Sequence, residues 1–514
     1  MSQTEGTQWR HIVRNSLVVG GAFGLAALMG LVRNIIIARQ FGIGADLDAY
    51  YAAFKLPDLL FTVVAGGALA TAFIPVFTDI LANENRARAW RLSSAITNLA
   101  ALLVFVVAVP TALYAPWLVR VLIAPGFDAA QQAETVSVMR IVLLSTVIFA
   151  ISAVQSGVLH GFKHFLLPAL APVLYPVGII IGAIWLAPIW GIRGLAFGAL
   201  IGASLHLAVK VPGLIYYGFR WWPVLDLDSP AVRRVAVLMG PRILDLGVFH
   251  LTLLATTNLA SRLSAGSVSA LEWGWDAMQI PETLIGTAFG LVAFPTLAEL
   301  AARNNLAGLR HTFGETLRTI LALTIPATLG LILLGRPILA LLYQRGAFDA
   351  AATQAVYVAL RLFALGLVGH ACLELAARAF FAQQDTVTPL LVAVGSAVVN
   401  IGLALVLMAP LGHGGLALAN SLAVSAEVVV LLFILRRRWG SVEGRETLRT
   451  IGRVLLATLL MGIAVAGVLA LGRQAGLGSL WLVAAGGIVG AVVYLGAALL
   501  LGVRVLYRLS LIHI

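Results

Sequence analysis

Charge is what this sequence has least of. Only 11% of its 514 residues are Asp, Glu, Lys or Arg, while 61% are hydrophobic and the mean hydropathy is +0.99. That composition excludes a soluble domain. Cysteine is almost absent: Cys372 stands alone in an apolar segment, so no internal disulfide forms, and the nine histidines show no metal-ligand spacing. Metal, redox and cofactor chemistry are therefore not expected. Also missing are the G-x-x-x-x-G-K-[ST] phosphate loop, the G-x-S-x-G nucleophile elbow and any insertion large enough for a nucleotide-binding domain. Their absence argues against ATP drive by this chain and against a membrane enzyme. The net charge of +12 does not imply nucleic acid, because the arginines are spread between apolar segments with no basic run carrying interleaved aromatics.

What is there is apolar sequence in span-length pieces. With about twenty mainly apolar residues per span, the chain predicts an all-α polytopic membrane protein of about fourteen transmembrane helices. The N-terminal segment runs into a long apolar stretch with no cleavage site, and is expected to be a first span and not a removable signal. Arginines gather in alternate connections, among them Arg86, Arg88 and Arg91, then Arg233 and Arg234, then Arg436, Arg437 and Arg438. The positive-inside rule places these connections, and both termini, in the cytoplasm. The last six residues, 509–514, read as a non-native tail.

The chain also repeats itself at an offset of about 220 residues. The stretch from Leu118 containing GFD matches the stretch from Ile338 containing AFD. The AP...G...GLA stretch from Trp185 matches that from Val406, and KLPD from Lys55 matches QIPE from Gln279. The repeat predicts a six-helix half over residues 1–222, a second over 223–440 and two additional helices over 441–508. Six spans per half preserve orientation, so the halves are expected to be parallel repeats around a central cavity.

The few charges inside spans are the candidate chemistry, since a charge near the bilayer centre costs at least about 2.5 to 3.5 kcal/mol. They concentrate between Arg33 and Asp58. Arg33 lies about two-thirds of the way through the first span, where a guanidinium either grips a phosphate bidentately or pairs with an acid on a neighbouring helix. Arg39, nearer the external end, is expected to snorkel. Asp48 and Lys55 are seven residues apart and share one helix face, which lines a cavity or pairs with the first helix. Asp46 and Asp58 are expected in a loop and a helix interface. Pro57 and its repeat partner Pro281 each remove a backbone hydrogen bond, as matched hinges would. In the second half, Arg262 precedes Glu272 and Asp276, which are four apart on one face beside Trp273 and Trp275. Glu272 fits either a gate or an interfacial helix end of the kind tryptophans mark, whereas Asp276, a turn deeper, is expected in the cavity. Arg242 and Asp245 are expected to pair across a seam, and Asn400 and Asn420 to hydrogen-bond between helices.

With fourteen spans arranged six plus six plus two, and with the stretch Gly30 to Phe77 carrying F-K-L-P and A-F-I-P-V-F, the chain resembles the MurJ/MviN lipid II flippase family of the MOP exporter superfamily. The resemblance covers essentially the whole chain. It implies a cationic central cavity that takes up the head of an undecaprenyl-pyrophosphate-type lipid-linked glycan in the bacterial inner membrane, for peptidoglycan and cell wall biogenesis. It also implies alternating access, a groove for the lipid tail at the last two helices, and membrane lipids as neighbours. The cavity residues implied are Arg33, Asp48 and Lys55; Arg262 and Asp276 are substrate-site candidates from the residues themselves, Arg262 as a compensating cation. The sequence departs from the family's pattern at Asn34, Ala27, Phe61, Thr62 and Asp276, leaving a cavity less cationic than the family's. Another lipid-linked oligosaccharide or, further off, a cation-coupled multidrug export are the alternative functions. Membrane potential or a Na+ or H+ gradient is the expected drive, with no oligomer required.

Overall fold

The computed structural model describes the backbone of residues 3–65 and 67–503, with side chains except at 3–19, 63–71 and 238–246. Among the described residues every regular element is a helix, which is what a lipid-spanning chain needs to satisfy its own backbone groups. The chain forms two compact units that meet in sequence at Ala265/Gly266.

The first unit holds α1 (Gln3–Phe41), α2 (Ala45–Ala65), α3 (Gly67–Asn83), α4 (Arg86–Leu113), α5 (Ala115–Leu118), α6 (Ala129–Gly161), α7 (Leu166–Ile181), α8 (Ala187–Trp190), α9 (Ile192–Ala208), α10 (Val211–Tyr216) and α11 (Pro230–Ala260). The repeat assigns α11 to the second half, yet it packs on α2 and α3. Phe73, Phe77, Trp90, Phe162 and Tyr217 form an aromatic ladder at one end of this unit, each pair adding about 0.5–1.5 kcal/mol beyond its area. Between α7 and α9 the backbones touch: a Cβ at Gly178 would lie 2.1 Å from the Gly202 nitrogen, and one at Gly182 would lie 2.6 Å from the Gly198 Cα. Small residues of this kind let membrane helices pack by contact alone.

The second unit holds α12 (Ser267–Glu282), α13 (Ala288–Ala302), α14 (Leu306–Tyr343), α15 (Ala350–Ala364), α16 (Leu367–Ala382), α17 (Val387–Leu411), α18 (His413–Trp439), α19 (Gly444–Gln474) and α20 (Ser479–Leu500). The two helices without a repeat partner, α19 and α20, pack on α14 through Met461, Val465, Leu482 and Leu334, and the Tyr494 hydroxyl donates to the Ala322 carbonyl.

Among the described residues eleven helices are long and apolar enough to cross a membrane, or up to twelve if the α15–α16 pair, bent by 45°, is one span. The two further spans expected from sequence, near residues 65 and 249, are also helical. On α2 the charges Asp48, Lys55 and Asp58 dilute the hydropathy. The Arg242–Asp245 pair and the 509–514 tail lie outside the described residues.

The repeat is visible in local devices. Asn85 caps α4 by accepting from the Arg88 amide, and Asn305 caps α14 by accepting from the Gly308 amide. Asp128 and Asp349 of the GFD and AFD turns cap α6 and α15 in the same way. Gly191 has φ 56° and ψ −137°, and its partner Gly412 has φ 57° and ψ −138°, a region open to glycine alone.

Candidate functional site

In the first unit Arg33 is half-buried on α1, and its Nε donates to the Asn34 side chain at 2.9 Å. Arg33 and Asp58 both lie within electrostatic reach of Tyr50 on α2 and Tyr175 on α7. The four side chains therefore share one field, although they come from three helices. Asp58 also lines a cavity of about 330 Å³ with Phe54, Phe61, Ser145, Thr146 and His206. It therefore borders a cavity, where the sequence suggested a helix interface. The signal was the repeat itself, which puts an acid after Pro in both KLPD and QIPE.

Asp48 is 1% exposed near the start of α2, where an acid favours the helix dipole. Lys55, half-buried two turns on, lies within electrostatic reach of His250 on α11. Pro57 is buried inside α2. Arg262 is exposed in the turn after α11 and donates to the Asn258 side chain at 3.0 Å. Against that turn packs the GFD loop: a Cβ on Gly126 would come within 2.5 Å of the Arg262 Cα. Arg39 is exposed, as a snorkelling residue would be.

In the second unit Glu272 is half-buried and Asp276 exposed on α12. The tryptophans beside them are not interfacial anchors. Trp273 is 2% exposed and stacks on Phe348, and Trp275 meets Phe363 and His370 edge-on. At Pro281 α12 gives way to a π-helical turn, Thr283–Thr287, before α13. Such turns open the helical ladder locally. Glu282, the repeat partner of Asp58, lies within electrostatic reach of Glu374 and Arg378, and Arg378 is paired to Glu374. His370 bonds Asn420 at 3.0 Å, so that amide joins two helices as expected. At one end of this unit, burial alone would raise the Asp385 carboxyl. Hydrogen bonds from the Thr388 hydroxyl and amide, and then from Arg438, outweigh it and hold the group at about 2.

A family model described as Lipid II flippase MurJ matches residues 37–485. The chain belongs to the MurJ family. Lipid II flippase MurJ of Burkholderia cenocepacia is 32% identical over 438 residues, covering 83% of this chain and 84% of that protein. A probable lipid II flippase MurJ of Bdellovibrio bacteriovorus is 28% identical over 507 residues, 97% of each. Among solved structures, lipid II flippase MurJ in an inward closed conformation superposes with TM-score 0.80 at 23% identity, covering 95% of this chain and 100% of that one. An inward-facing multidrug resistance MATE family transporter of the MOP superfamily follows at 0.67 and 15%, covering 82% and 96%. The fold is thus that of MOP transporters, and the chain is a multi-span membrane protein of a bacterial flippase family.

At two positions where the MurJ pattern departs, the structure gives a physical substitute. Phe61 lines the 330 Å³ cavity and packs on Phe149 at 5.5 Å, so an apolar wall stands there. Asn34 accepts from Arg33 and fixes the guanidinium's direction without neutralising it. Sequence reasoning missed Lys210, 0% exposed at the end of α9, and its neighbours Ser152 and His206. A lysine closing an apolar span ordinarily reads as a snorkelling residue.

Proposed function

We propose that this chain flips lipid II, the lipid-linked peptidoglycan precursor, from the cytoplasmic to the outer leaflet of the bacterial inner membrane by alternating access. The observation that carries this reading is the family match over residues 37–485, on a chain whose in-span charges gather around Arg33. A half-buried guanidinium suits a diphosphate, which it grips through two parallel N–H donors in a low-dielectric setting. Lys55 and Arg262 add positive charge for the head group, while Asp48 and Asp276 meet its polar sugar and peptide parts. Pro57 and Pro281, with Glu272 as a gate, let helices bend as access alternates. On this reading the chain is a transporter and not an enzyme, uses no cofactor and needs no oligomer. Both termini are cytoplasmic, and the drive is membrane potential or a Na+ or H+ gradient.

A second reading, a flippase for another polyprenyl-pyrophosphate-linked oligosaccharide, is favoured by one observation: Phe61 stands on a cavity wall where the resemblance calls for arginine. The test is rescue of a bacterium depleted of its own lipid II flippase by this chain and by its Arg33→Ala form, expressed equally. Rescue by the wild type alone is the expected result. A well-expressed wild type that fails to rescue overturns lipid II as substrate, and rescue by Arg33→Ala removes the diphosphate role of Arg33.

A further inference from the structure

The first unit contains a buried cation that the proposed transport site does not use. Lys210 Nζ donates to the Ser152 carbonyl at 2.6 Å and to the Ser156 hydroxyl at 2.9 Å. An ammonium has three donors and no acceptor, and both partners here are neutral. No carboxylate among the described residues pairs with it. The Ser152 hydroxyl bonds His206 Nδ1 at 2.8 Å, so two basic side chains are gathered around one serine. His206 packs edge-on against Phe149 and forms part of the wall of the cavity that Asp58 lines. His160, one turn beyond Ser156 on α6, lies within electrostatic reach of Lys210.

The position is mechanical as well as chemical. Glycines bring α7 and α9 into backbone contact, which makes one close-packed ribbon of the two helices. Lys210 ends that ribbon and ties it to α6 through Ser152 and Ser156. Two positive charges one serine apart in a water-poor setting repel each other, and adding or removing a proton there changes how firmly the ribbon is held to α6.

We propose that Lys210 and His206, joined through Ser152, form a proton-binding site that opens on the Asp58 cavity and couples its loading to movement of the α7–α9 ribbon. The ligand is a proton, bound at a nitrogen lone pair and returned to water in the cavity. The groups facing the site are Ser152, Ser156 and His160 from α6, with Asp58 from α2 and Tyr175 from α7 across the cavity. The proposal rests on the transporter reading and narrows its energy source to protons. In the second unit the repeat positions of His206 and Lys210 hold Glu427 and Leu431.

The chain's sole cysteine, Cys372, is replaced by Ala, so a reporter cysteine at the half-buried, cavity-lining Phe54 can be read cleanly. Alkylation of the full-length Cys372→Ala, Phe54→Cys protein in proteoliposomes is followed from pH 5.5 to 8.5, without lipid II present, and is divided at each pH by the rate of the same thiol in denatured protein, which removes the thiolate contribution; this normalised rate is the readout. The expected result is a rate that changes at least about threefold with pH, is flat in Lys210→Met, and in Lys210→Arg stays at its acid-side value throughout. A flat profile in the parent protein, or a folded Lys210→Met protein that keeps the parent's profile, overturns the proposal. Should Lys210→Met not give monodisperse protein, His206→Gln takes its place with the same two outcomes. Because the readout needs no lipid substrate, its failure is distinct from failure of the flippase reading, which the depletion rescue decides.

Discussion

The two units share a scaffold and differ in how they treat charge. Where the first has Asp58 after its proline, in a mixed field with Arg33, Tyr50 and Tyr175, the second has Glu282 in the field of Glu374 and the arginine paired to it. Where the first buries Lys210 among serines, the second buries Arg318 against carboxylates: its guanidinium meets Glu443 at 2.8 Å and Glu446 at 3.6 Å. The second unit thus neutralises its buried cation within the chain, while the first satisfies its own with neutral oxygens. A cation without an acid beside it is free to respond to something that comes and goes, and the lesson is that a duplicated fold can divide structural and responsive roles between its copies.

The comparison is tested most severely at the helix seams. Gly178→Val drives a side chain into the Gly202 backbone, and we expect a loss above about 4 kcal/mol, read as vanishing folded yield or a collapsed Tm in detergent. Ala419→Val, at the repeat position of Gly198 in the α17–α18 pair, is an overpacking change of about 1–3 kcal/mol. Equal losses at the two sites would mean that the α7–α9 ribbon is no tighter than its counterpart.

Next comes the neutralised arginine. Glu443→Ala leaves Arg318 with Glu446 alone and is expected to cost about 2 kcal/mol, rising to about 3–5 kcal/mol when Glu446→Ala is added, because the charge then stays buried without an acid. Denaturant midpoints of the two variants measure it, and a double variant no worse than the single would show that Arg318 is hydrated. At the matched caps, Asn85→Ala and Asn305→Ala should each cost about 1 kcal/mol, and unequal losses would break the correspondence of the two helix starts.

The smallest effect is at Asp385. Its carboxyl is held at about 2 against an ordinary value of 3.8, so its contribution is in place above about 4 and is lost as the pH falls toward 2. Arg438→Gln should narrow that acid-labile window while changing stability at neutral pH by less than about 1 kcal/mol. Thermal melts between pH 2 and 7 would show it, and an unchanged acid limb would rule out the Arg438 contact as a cause.

Much of this architecture is legible in sequence because apolar length and loop punctuation are local signals. The caps at Asp128 and Asp349 and the turns at Gly191 and Gly412 are written in the residues that make them. Pairing is not written that way. Lys210 looks like any lysine closing a span until Ser152 and Ser156, more than fifty residues earlier, are seen to enclose it. That Asp58 borders a cavity with Tyr175 on α7 is equally invisible, because the two are more than a hundred residues apart. Trp273 is hidden in the same way: a tryptophan near a helix end suggests a membrane interface, whereas Tyr343 and Phe348, distant in sequence, make it core. The packing of α11 on α2 and α3 has no sequence signal at all, since its apolar face suits either unit.

Gly191 and Gly412 hold one further meaning. At their shared backbone geometry every other residue is strained, so neither glycine could be exchanged without disturbing the turn it makes. The charges around Lys210 and Arg318 were under no such constraint. The two halves therefore carry the same residue where the backbone admits one kind alone, and differ where a side chain need only suit its neighbours, as His206 and Glu427 do.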